Sequence, residues 1–258
     1  MYVQRNNKRE EVYFMYVKIE NISFAYADEA ALRNVSFGID KGKITGLIGS
    51  NGAGKSTMLK IMIKKLKPQS GKITIDGMDI VSLKNDNFPV TFVPDAPVYY
   101  EELTVWEHMQ FIKALYPQSN ISIKEIIMQF NLQEHLHKIP AALSKGTLQK
   151  MMIALALLRQ YEIFLADEPF TGLDPKQIYG FKQILQELKQ QDKAILISTH
   201  LLDMAEGICD KYVFLHNGKI LAKGGKTEII KQYHLKTELT LEELYMFLLE
   251  GDEHHACL

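Results

Sequence analysis

The stretch Ile44–Thr57 reads I-T-G-L-I-G-S-N-G-A-G-K-S-T, and the rest of the chain is organised around it. Its first five residues are apolar and partly β-branched, which predicts a buried strand. After the stretch, apolar residues recur at helical spacing and predict a helix that ends before Pro68; they are Leu59, Met62, Ile63 and Leu66. The pattern between strand and helix is G-x-x-x-x-G-K-S, which in this context predicts a phosphate-binding loop.

Each residue type in this loop suits a bound phosphate. Its glycines let the backbone turn tightly and bring N–H groups close to phosphate oxygens, and the helix that follows adds the positive end of its dipole. Lys55 would place an ammonium on the β and γ phosphates, and Ser56 would offer an oxygen to Mg²⁺. We therefore predict that a nucleotide is bound by Gly49, Ser50, Asn51, Gly52, Ala53, Gly54, Lys55, Ser56 and Thr57.

The composition is that of a folded protein of 258 residues, with 47% hydrophobic and 24% charged residues. The formal net charge of −1 supplies no basic field for nucleic acid, so no nucleic-acid partner is expected. Cys209 and Cys257 are far apart and lack metal-ligand spacing, which argues against a disulfide framework. No apolar run approaches the roughly 18 residues that cross a bilayer, so a role at a membrane would require a partner embedded in it.

Short β-rich segments precede and follow the loop. Residues 1–14 are polar and without periodicity, and we predict an N-terminal extension there. Strands are predicted at 16–19, 22–26 and 32–39, and Asp76-Gly77 is predicted to turn a hairpin. These segments predict an N-terminal antiparallel β subdomain.

Helical periodicity replaces the strands from Thr104 to about Arg159 and predicts an inserted α-helical subdomain, at about residues 97–160. Strands and helices then alternate from residue 163 onward, which is typical of a mostly parallel sheet with helices on both faces. The fold class expected is therefore α/β, with one nucleotide-binding domain at residues 15–225. A helical tail is predicted at 226–258, where Thr240 and Glu243 form a capping-box pattern.

Two further segments place polar residues at the ends of buried strands. In I-F-L-A-D-E-P, residues 163–169, Asp167 could hold Mg²⁺ and Glu168 could polarise an attacking water. In I-L-I-S-T-H, His200 follows another buried strand and could contact the γ-phosphate. Ligands bind at the carboxyl ends of strands in open α/β sheets, so we expect both segments to lie beside the loop.

Two other residue sets carry less information by themselves. Tyr26 follows the alternating residues Ile22 and Phe24, so it is either an aromatic on a strand face or a side chain that stacks on adenine, and the residues alone favour the first. The segment L-S-K-G-T-L-Q-K, residues 143–150, reads as an N-cap serine before a helix.

The order of these segments resembles an ABC-type ATPase subunit over about residues 16–225. The resemblance rests on G-S-N-G-A-G-K-S-T, L-S-K-G-T, I-F-L-A-D-E-P-F-T-G-L-D and S-T-H. It implies a P-loop NTPase core that binds ATP and Mg²⁺ and hydrolyses ATP with Lys55, Glu168 and His200. The segment V-P-D-A-P-V-Y-Y-E-E-L-T is similar to the EcsA-like branch of transporter ATPases, which favours export.

The resemblance also implies a head-to-tail homodimer with two ATP molecules at its interface. Ser144 and Gly146 of one subunit would then contact the γ-phosphate held by the loop of the other, and Asp174 would connect the two sites. Tyr26 becomes the adenine-stacking aromatic. The expected partners are integral membrane permease subunits, and the expected location is the cytoplasmic face of the cell membrane, as a peripheral protein.

The sequence departs from the family pattern at three positions. Lys145 stands where a first glycine is usual, and Thr147 where glutamine is frequent. Asp95 stands where a glutamine usually ligates Mg²⁺, and its shorter, charged side chain can still serve as a ligand.

Two other functions are consistent with parts of this pattern. A soluble ABC-type ATPase of a cofactor-assembly system would have a similar size, and a soluble scaffold partner would identify it. A nucleotide sensor that does not hydrolyse ATP is disfavoured because Lys55, Asp167, Glu168 and His200 are all present.

Overall fold

The computed structural model describes residues 15–85, 88–236 and 238–256, so the extension predicted at residues 1–14 lies outside the described residues. The described strands are β1 (Val17–Tyr26), β2 (Glu29–Ile39), β3 (Lys43–Ile48), β4 (Ser70–Ile75), β5 (Met78–Asp79), β6 (Val90–Val93), β7 (Ile163–Asp167), β8 (Ala194–Thr199), β9 (Lys211–His216) and β10 (Lys219–Gly224). The described helices are α1 (Lys55–Met62), α2 (Val105–Leu115), α3 (Ile123–Phe130), α4 (Lys145–Leu157), α5 (Pro175–Gln190), α6 (Leu202–Glu206), α7 (Lys226–Gln232) and α8 (Leu241–Ala256).

The smaller sheet is antiparallel and has the strand order β2-β1-β4-β5. Asp76 and Gly77 take φ values of 49° and 76° between β4 and β5, as a type I′ hairpin turn requires. The two strands predicted at 16–19 and 22–26 form one strand, β1, because the pairing of β1 with β2 continues beyond an irregularity after Ile19. Asn21 lies at this irregularity with φ 53°.

The larger sheet has the order β10-β9-β3-β8-β7-β6, and all its pairs are parallel except β9 with β10. The predicted fold class, an α/β core with an antiparallel β subdomain and inserted helices, is confirmed. Ile48 of β3 is paired with Thr199 of β8, and Ser198 is paired with Asp167 of β7. The carboxyl ends of these three strands therefore meet at one edge, where the predicted site residues follow them.

Helices α2, α3 and α4 occupy the region between β6 and β7. Each begins at a hydroxyl N-cap: Thr104 for α2, Ser122 for α3 and Ser144 for α4. Their apolar faces join the core of the larger sheet, where Val105, Met109 and Met151 are fully buried. The insert is therefore packed onto the α/β core through a shared apolar cluster.

Helix α1 is shorter than the apolar spacing predicts. It ends at Met62, and Lys64 takes a left-handed conformation with φ 60°. The N–H groups of Lys65 and Leu66 turn back to the Lys60 carbonyl at 2.8 and 3.1 Å. Leu66 therefore lies in the turn that closes the helix, not in the helix itself. This C-terminal cap still places the Leu66 side chain against the apolar cluster that the helix contacts.

The C-terminal region contains a strand that the sequence did not reveal, β10, whereas α7 lies within the helical tail predicted at residues 226–258. A register shift between Ile220 and Ala222 interrupts the alternation that would have marked β10. Helix α8 begins with the predicted capping box, in which Glu243 N–H donates to the Thr240 hydroxyl at 3.1 Å and Thr240 N–H donates to the Glu243 carboxylate at 2.7 Å. In the described part of the chain, no helix is long and apolar enough to span a bilayer.

Candidate nucleotide site

The loop predicted to bind phosphate connects β3 to α1, and two of its glycines, Gly49 and Gly54, are sterically required. A methyl group on Gly49 would lie 2.3 Å from the Leu215 carbonyl oxygen. Gly54 has φ 108° and caps α1, and a methyl group there would lie 2.5 Å from the Ala31 carbonyl oxygen. The neighbouring strands β9 and β2 therefore press on the loop closely enough to exclude any side chain at either position.

Lys55 begins α1, and its ammonium is buried at the centre of the loop. Lys55 Nζ donates to the Gly49 carbonyl at 2.7 Å and to the Ser50 carbonyl at 3.2 Å. It also lies 3.2 Å from Glu168 Oε1, and both side chains of this ion pair are nearly fully buried. The loop is thus connected directly to the end of strand β7.

The acidic pair predicted after β7 lies at the carboxyl edge of the sheet. The Asp167 carboxylate accepts a hydrogen bond from the Ser198 hydroxyl of β8, and both residues are buried. Glu168 has φ 47°, a left-handed conformation that is strained for a residue with a side chain. Its N–H donates to the Ser198 carbonyl at 3.0 Å, which holds this conformation in place.

His200 completes a cluster of three charged or titratable groups. Its Nδ1 lies 2.9 Å from Glu168 Oε1, and its backbone N–H donates to Glu168 Oε2 at 3.3 Å. The His200 side chain is 44% exposed, whereas that of Glu168 is 11% exposed, so the imidazole lies on the solvent side of the carboxylate. The structure therefore brings Lys55, Glu168 and His200 together around one carboxylate.

The structure also describes four further predicted residues, three of them near the carboxyl edge of the sheet or on α1. Ser56 and Thr57 occupy the first turn of α1, half-buried and buried respectively. Asp95 follows the end of β6 by two residues and is exposed at the same edge of the sheet as Asp167. Tyr26 ends β1, is 46% exposed and meets Phe24 edge to face at 4.9 Å. Tyr26 therefore offers an accessible ring, as stacking on a base would require.

Residues 143–150, which we call the signature segment, lie against T-G-L-D, residues 171–174. Ser144 accepts a hydrogen bond from Thr147 N–H at 3.2 Å, which caps α4. A methyl group on Gly146 would lie 2.4 Å from Gln177 Oε1, and one on Gly172 would lie 2.7 Å from Cε of Lys145. Lys145, where the family usually has glycine, thus packs its aliphatic stem on Gly172.

Asp174 holds the N-terminus of α5 through a capping box with Gln177. Gln177 N–H donates to Asp174 Oδ1 at 2.8 Å, and Asp174 N–H donates to Gln177 Oε1 at 3.0 Å. The same Gln177 side chain covers Gly146, so the signature segment and Asp174 share one contact. Among the described residues, no hydrogen bond or ion pair joins Ser144 or Gly146 to Lys55, Glu168 or His200.

Ser198 is a site residue that the sequence analysis missed. It precedes Thr199 and His200 in I-L-I-S-T-H, and it bonds to both members of the acidic pair: its hydroxyl to Asp167 and its carbonyl to Glu168 N–H. The available signal was a hydroxyl residue two positions before the histidine. Because the strand pairing that places it beside Asp167 is not local, the sequence alone did not single it out.

A phosphate loop after a central parallel strand, with an acidic pair two strands away, defines the nucleotide-binding fold of a P-loop protein. The family model described as ABC transporter matches residues 32–171, and the chain belongs to that family. It therefore contains a nucleotide-binding ATPase domain. The resemblance inferred from the motifs is confirmed.

Individual relatives support the same assignment. The chain is 34% identical over 244 residues to the ABC-type transporter ATP-binding protein EcsA of Bacillus subtilis (strain 168), covering 93% of this chain and 98% of EcsA. It is 30% identical over 218 residues to a fluoroquinolones export ATP-binding protein of Mycobacterium tuberculosis (strain ATCC 25618 / H37Rv), covering 83% and 72% of the two chains. The dimeric structure of MJ0796, a bacterial ABC transporter cassette, superposes with a TM-score of 0.73 at 26% identity, covering 81% of this chain and 98% of that one.

Proposed function

We propose that the protein hydrolyses ATP to drive transport through separate membrane subunits, with Glu168 as general base. The observation that carries this proposal is the cluster in which Glu168 meets both Lys55 and His200. In the proposed reaction, the attacking water gives a proton to the Glu168 carboxylate and its oxygen bonds to the γ-phosphorus. The bond from that phosphorus to the β–γ bridging oxygen then breaks, which yields ADP and inorganic phosphate.

The other two members of the cluster would serve the phosphate and the water. Lys55 would balance the charge that develops on the phosphate oxygens, because its ammonium already lies among the loop carbonyls. His200, on the solvent side of Glu168, would contact the γ-phosphate and keep the water in line.

Mg²⁺ fits the oxygen donors at this edge. Magnesium in phosphate-binding sites usually takes one or two carboxylates together with phosphate oxygens and water. The Asp167 carboxylate is fixed by Ser198 beside the loop, and Ser56 lies on the first turn of α1. We propose that Ser56 and Asp167 hold Mg²⁺, with Asp95 as a further carboxylate near the same edge. The bound ion would neutralise phosphate charge.

The contacts of Gly146 support a site that a second copy completes. Ser144 and Gly146 lie at the N-terminus of the 13-residue helix α4, a suitable position for an anion, yet they lie outside the Lys55 cluster. We propose that they face the ATP bound by a second copy in a head-to-tail homodimer. The Gln177 side chain contacts both Asp174 and Gly146, so Asp174 would couple the two sites.

Gly146→Ala tests this arrangement. The added methyl group must displace the Gln177 side chain and open the capping box of α5, so we expect the ATPase rate to fall by about tenfold. The affinity of the isolated subunit for a fluorescent ATP analogue should stay at the wild-type value, because Gly146 serves the partner's site.

Gly180→Ala is the matched control, since a methyl group at Gly180 of α5 would meet no atom within 4 Å beyond its own stretch of helix. It should keep wild-type activity and raise the unfolding temperature slightly, because alanine stabilises a helix relative to glycine. If Gly146→Ala weakens ATP binding, or leaves the ATPase rate unchanged, the partner-facing role of Gly146 is wrong.

A groove between the α/β core and the inserted helices is suited to a membrane subunit. It has a volume of about 320 Å³ and is lined on one side by Ile63, Phe88 and Phe92 and on the other by Ile112, Tyr116 and Met152. Val98, at its rim, is 72% exposed, and Tyr100 and Phe111 nearby are also exposed. We propose that an apolar cytoplasmic helix of a permease subunit docks here.

Co-purification measures this docking. A tagged chain extracted from membranes of its source organism should carry a polytopic membrane protein, and Val98→Asp should lose it because a charge in the groove is costly to desolvate. Val81→Asp is the control, since Val81 is 76% exposed but does not line the groove. Capture that survives Val98→Asp would contradict docking in this groove, whereas capture of a soluble scaffold instead would contradict the transport proposal.

We propose export as the direction of transport and the cytoplasmic face of the membrane as the location. The similarity to a fluoroquinolones export ATP-binding protein supports this direction. The location follows from the docking proposal, because the groove would seat the chain on a membrane subunit.

A further inference from the structure

The C-terminal helix α8 contacts the phosphate loop directly. The N–H of Ser50 donates a hydrogen bond to the Tyr245 hydroxyl at 3.2 Å, across 195 positions of the chain. We propose that Tyr245 is a positioning residue for the phosphate loop, so that α8 forms part of the nucleotide site. The inference rests on the proposed ATP-binding role of that loop.

The peptide groups on both sides of Ser50 Cα are held in place. The Ser50 N–H is bound by Tyr245, whereas the Ser50 carbonyl accepts from Lys55 Nζ at 3.2 Å and from Ala53 N–H at 3.2 Å. Rotation of the backbone at Ser50 would therefore move the carbonyl that Lys55 contacts. Through this residue, the Tyr245 hydroxyl influences where the ammonium lies.

The Tyr245 ring is itself fixed. It is buried and stacks on Phe214 of β9, with centroids 5.8 Å apart and planes 17° from parallel. Phe214 is paired with Ile48, the residue that directly precedes the loop. The ring packs on β9, and the loop continues from β3, which is paired with β9. The hydroxyl therefore has a defined position relative to Ser50.

Helix α8 is anchored at its start as well. Leu241 N–H donates to Glu206 Oε2 at 2.9 Å, and Leu241, Leu244 and Leu248 are buried against the C-terminal core. Glu206 belongs to α6, the helix that follows His200. The helix therefore contacts the segments on both sides of the site: the phosphate loop through Tyr245 and the segment after His200 through Glu206.

The physical consequence is preorganisation of the loop. A loop that is ordered before the nucleotide arrives loses less conformational entropy on binding, so the affinity for ATP is higher. Tyr245→Phe removes only the hydroxyl and keeps the ring stacked on Phe214. Since a neutral hydrogen bond is worth a few-fold in an equilibrium, we expect the Kd for ATP to rise by about three- to tenfold.

Tyr233→Phe is the matched control. Its hydroxyl donates to the Leu221 carbonyl of β10 at 3.0 Å, in the same C-terminal region, instead of to the phosphate loop. Both variants lose one tyrosine hydroxyl bonded to the backbone, so a comparable change in unfolding temperature is expected for both. Only Tyr245→Phe should change the Kd for a fluorescent ATP analogue.

Hydrogen–deuterium exchange in the nucleotide-free protein provides a second measurement. Loop peptides spanning residues 44–58 should exchange faster in Tyr245→Phe than in the wild type and in Tyr233→Phe. The proposal is overturned if either the Kd or the exchange rate of Tyr245→Phe equals the wild-type value, or if Tyr233→Phe changes both equally. A wild-type protein that binds no ATP would overturn the proposed function instead, and the exchange comparison would still decide the role of Tyr245.

Discussion

Glu168→Gln is expected to bind ATP but to hydrolyse it about 100-fold or more slowly than the wild type. The side chain keeps its shape and can still accept the His200 N–H, but an amide cannot take the proton of the attacking water. Lys55 remains bound to the carbonyls of Gly49 and Ser50, so the phosphate loop should keep its conformation. A phosphate-release assay at saturating ATP measures the loss of turnover.

The same variant should accumulate as a dimer when ATP is present, because hydrolysis is the step that would reopen the interface. Size-exclusion chromatography with ATP should show this dimer, and the wild type should show it only transiently. Glu162→Gln is a stringent control, because Glu162 directly precedes β7 whereas Glu168 directly follows it. Glu162 is also paired with lysines, Lys41 and Lys193, each at 2.9 Å.

Wild-type turnover is therefore expected for Glu162→Gln, even though it too replaces a carboxylate that pairs with lysine. If Glu168→Gln hydrolyses ATP at the wild-type rate, another group must accept the proton and the assignment of the base is wrong. If both variants lose activity alike, the loss reflects the stability of β7 rather than chemistry at its end.

The parts of this protein that the sequence predicted correctly are those determined by local patterns. The strand, loop and helix around Gly49–Thr57 can be recognised from the loop glycines and the apolar residues beside them, and Asp76-Gly77 can be recognised as a two-residue turn. The convergence of Glu168 and His200 followed from one topological rule, that parallel strands end at the same edge. These features depend on short stretches of chain or on general rules of connection.

The parts that the sequence did not reveal depend on contacts between distant residues. The Ser50–Tyr245 and Gly146–Gln177 contacts join segments that no local pattern relates. Helix α1 ends at Met62 because Lys64 adopts a left-handed conformation, which is unusual for lysine and gives no signal in the apolar spacing. The tail that the sequence left without a role is, in the structure, packed against the phosphate loop.

Lys55→Met is expected to weaken ATP binding by about 100-fold. Methionine keeps the apolar stem of the lysine but removes the only charge that the loop directs toward the phosphates in the proposed mode, and charged hydrogen bonds are each worth about 10-fold or more. The substitution also leaves the Glu168 carboxylate, 11% exposed, without its lysine partner. Like charge on the carboxylate and the phosphates then adds repulsion to the lost attraction.

Lys193→Met separates this effect from the loss of an ordinary ion pair. Lys193 directly precedes β8, at the opposite edge of the same sheet, and lies 2.9 Å from Glu162. The Lys193→Met variant should bind a fluorescent ATP analogue with wild-type affinity. Because the proposed repulsion involves the Glu168 carboxylate, Lys55→Met combined with Glu168→Gln should recover part of the lost affinity, whereas Lys55→Met combined with Glu162→Gln should recover none. Equal affinities in those two double variants would show that the lysine acts on the phosphates alone, and unchanged affinity in Lys55→Met would remove it from the site.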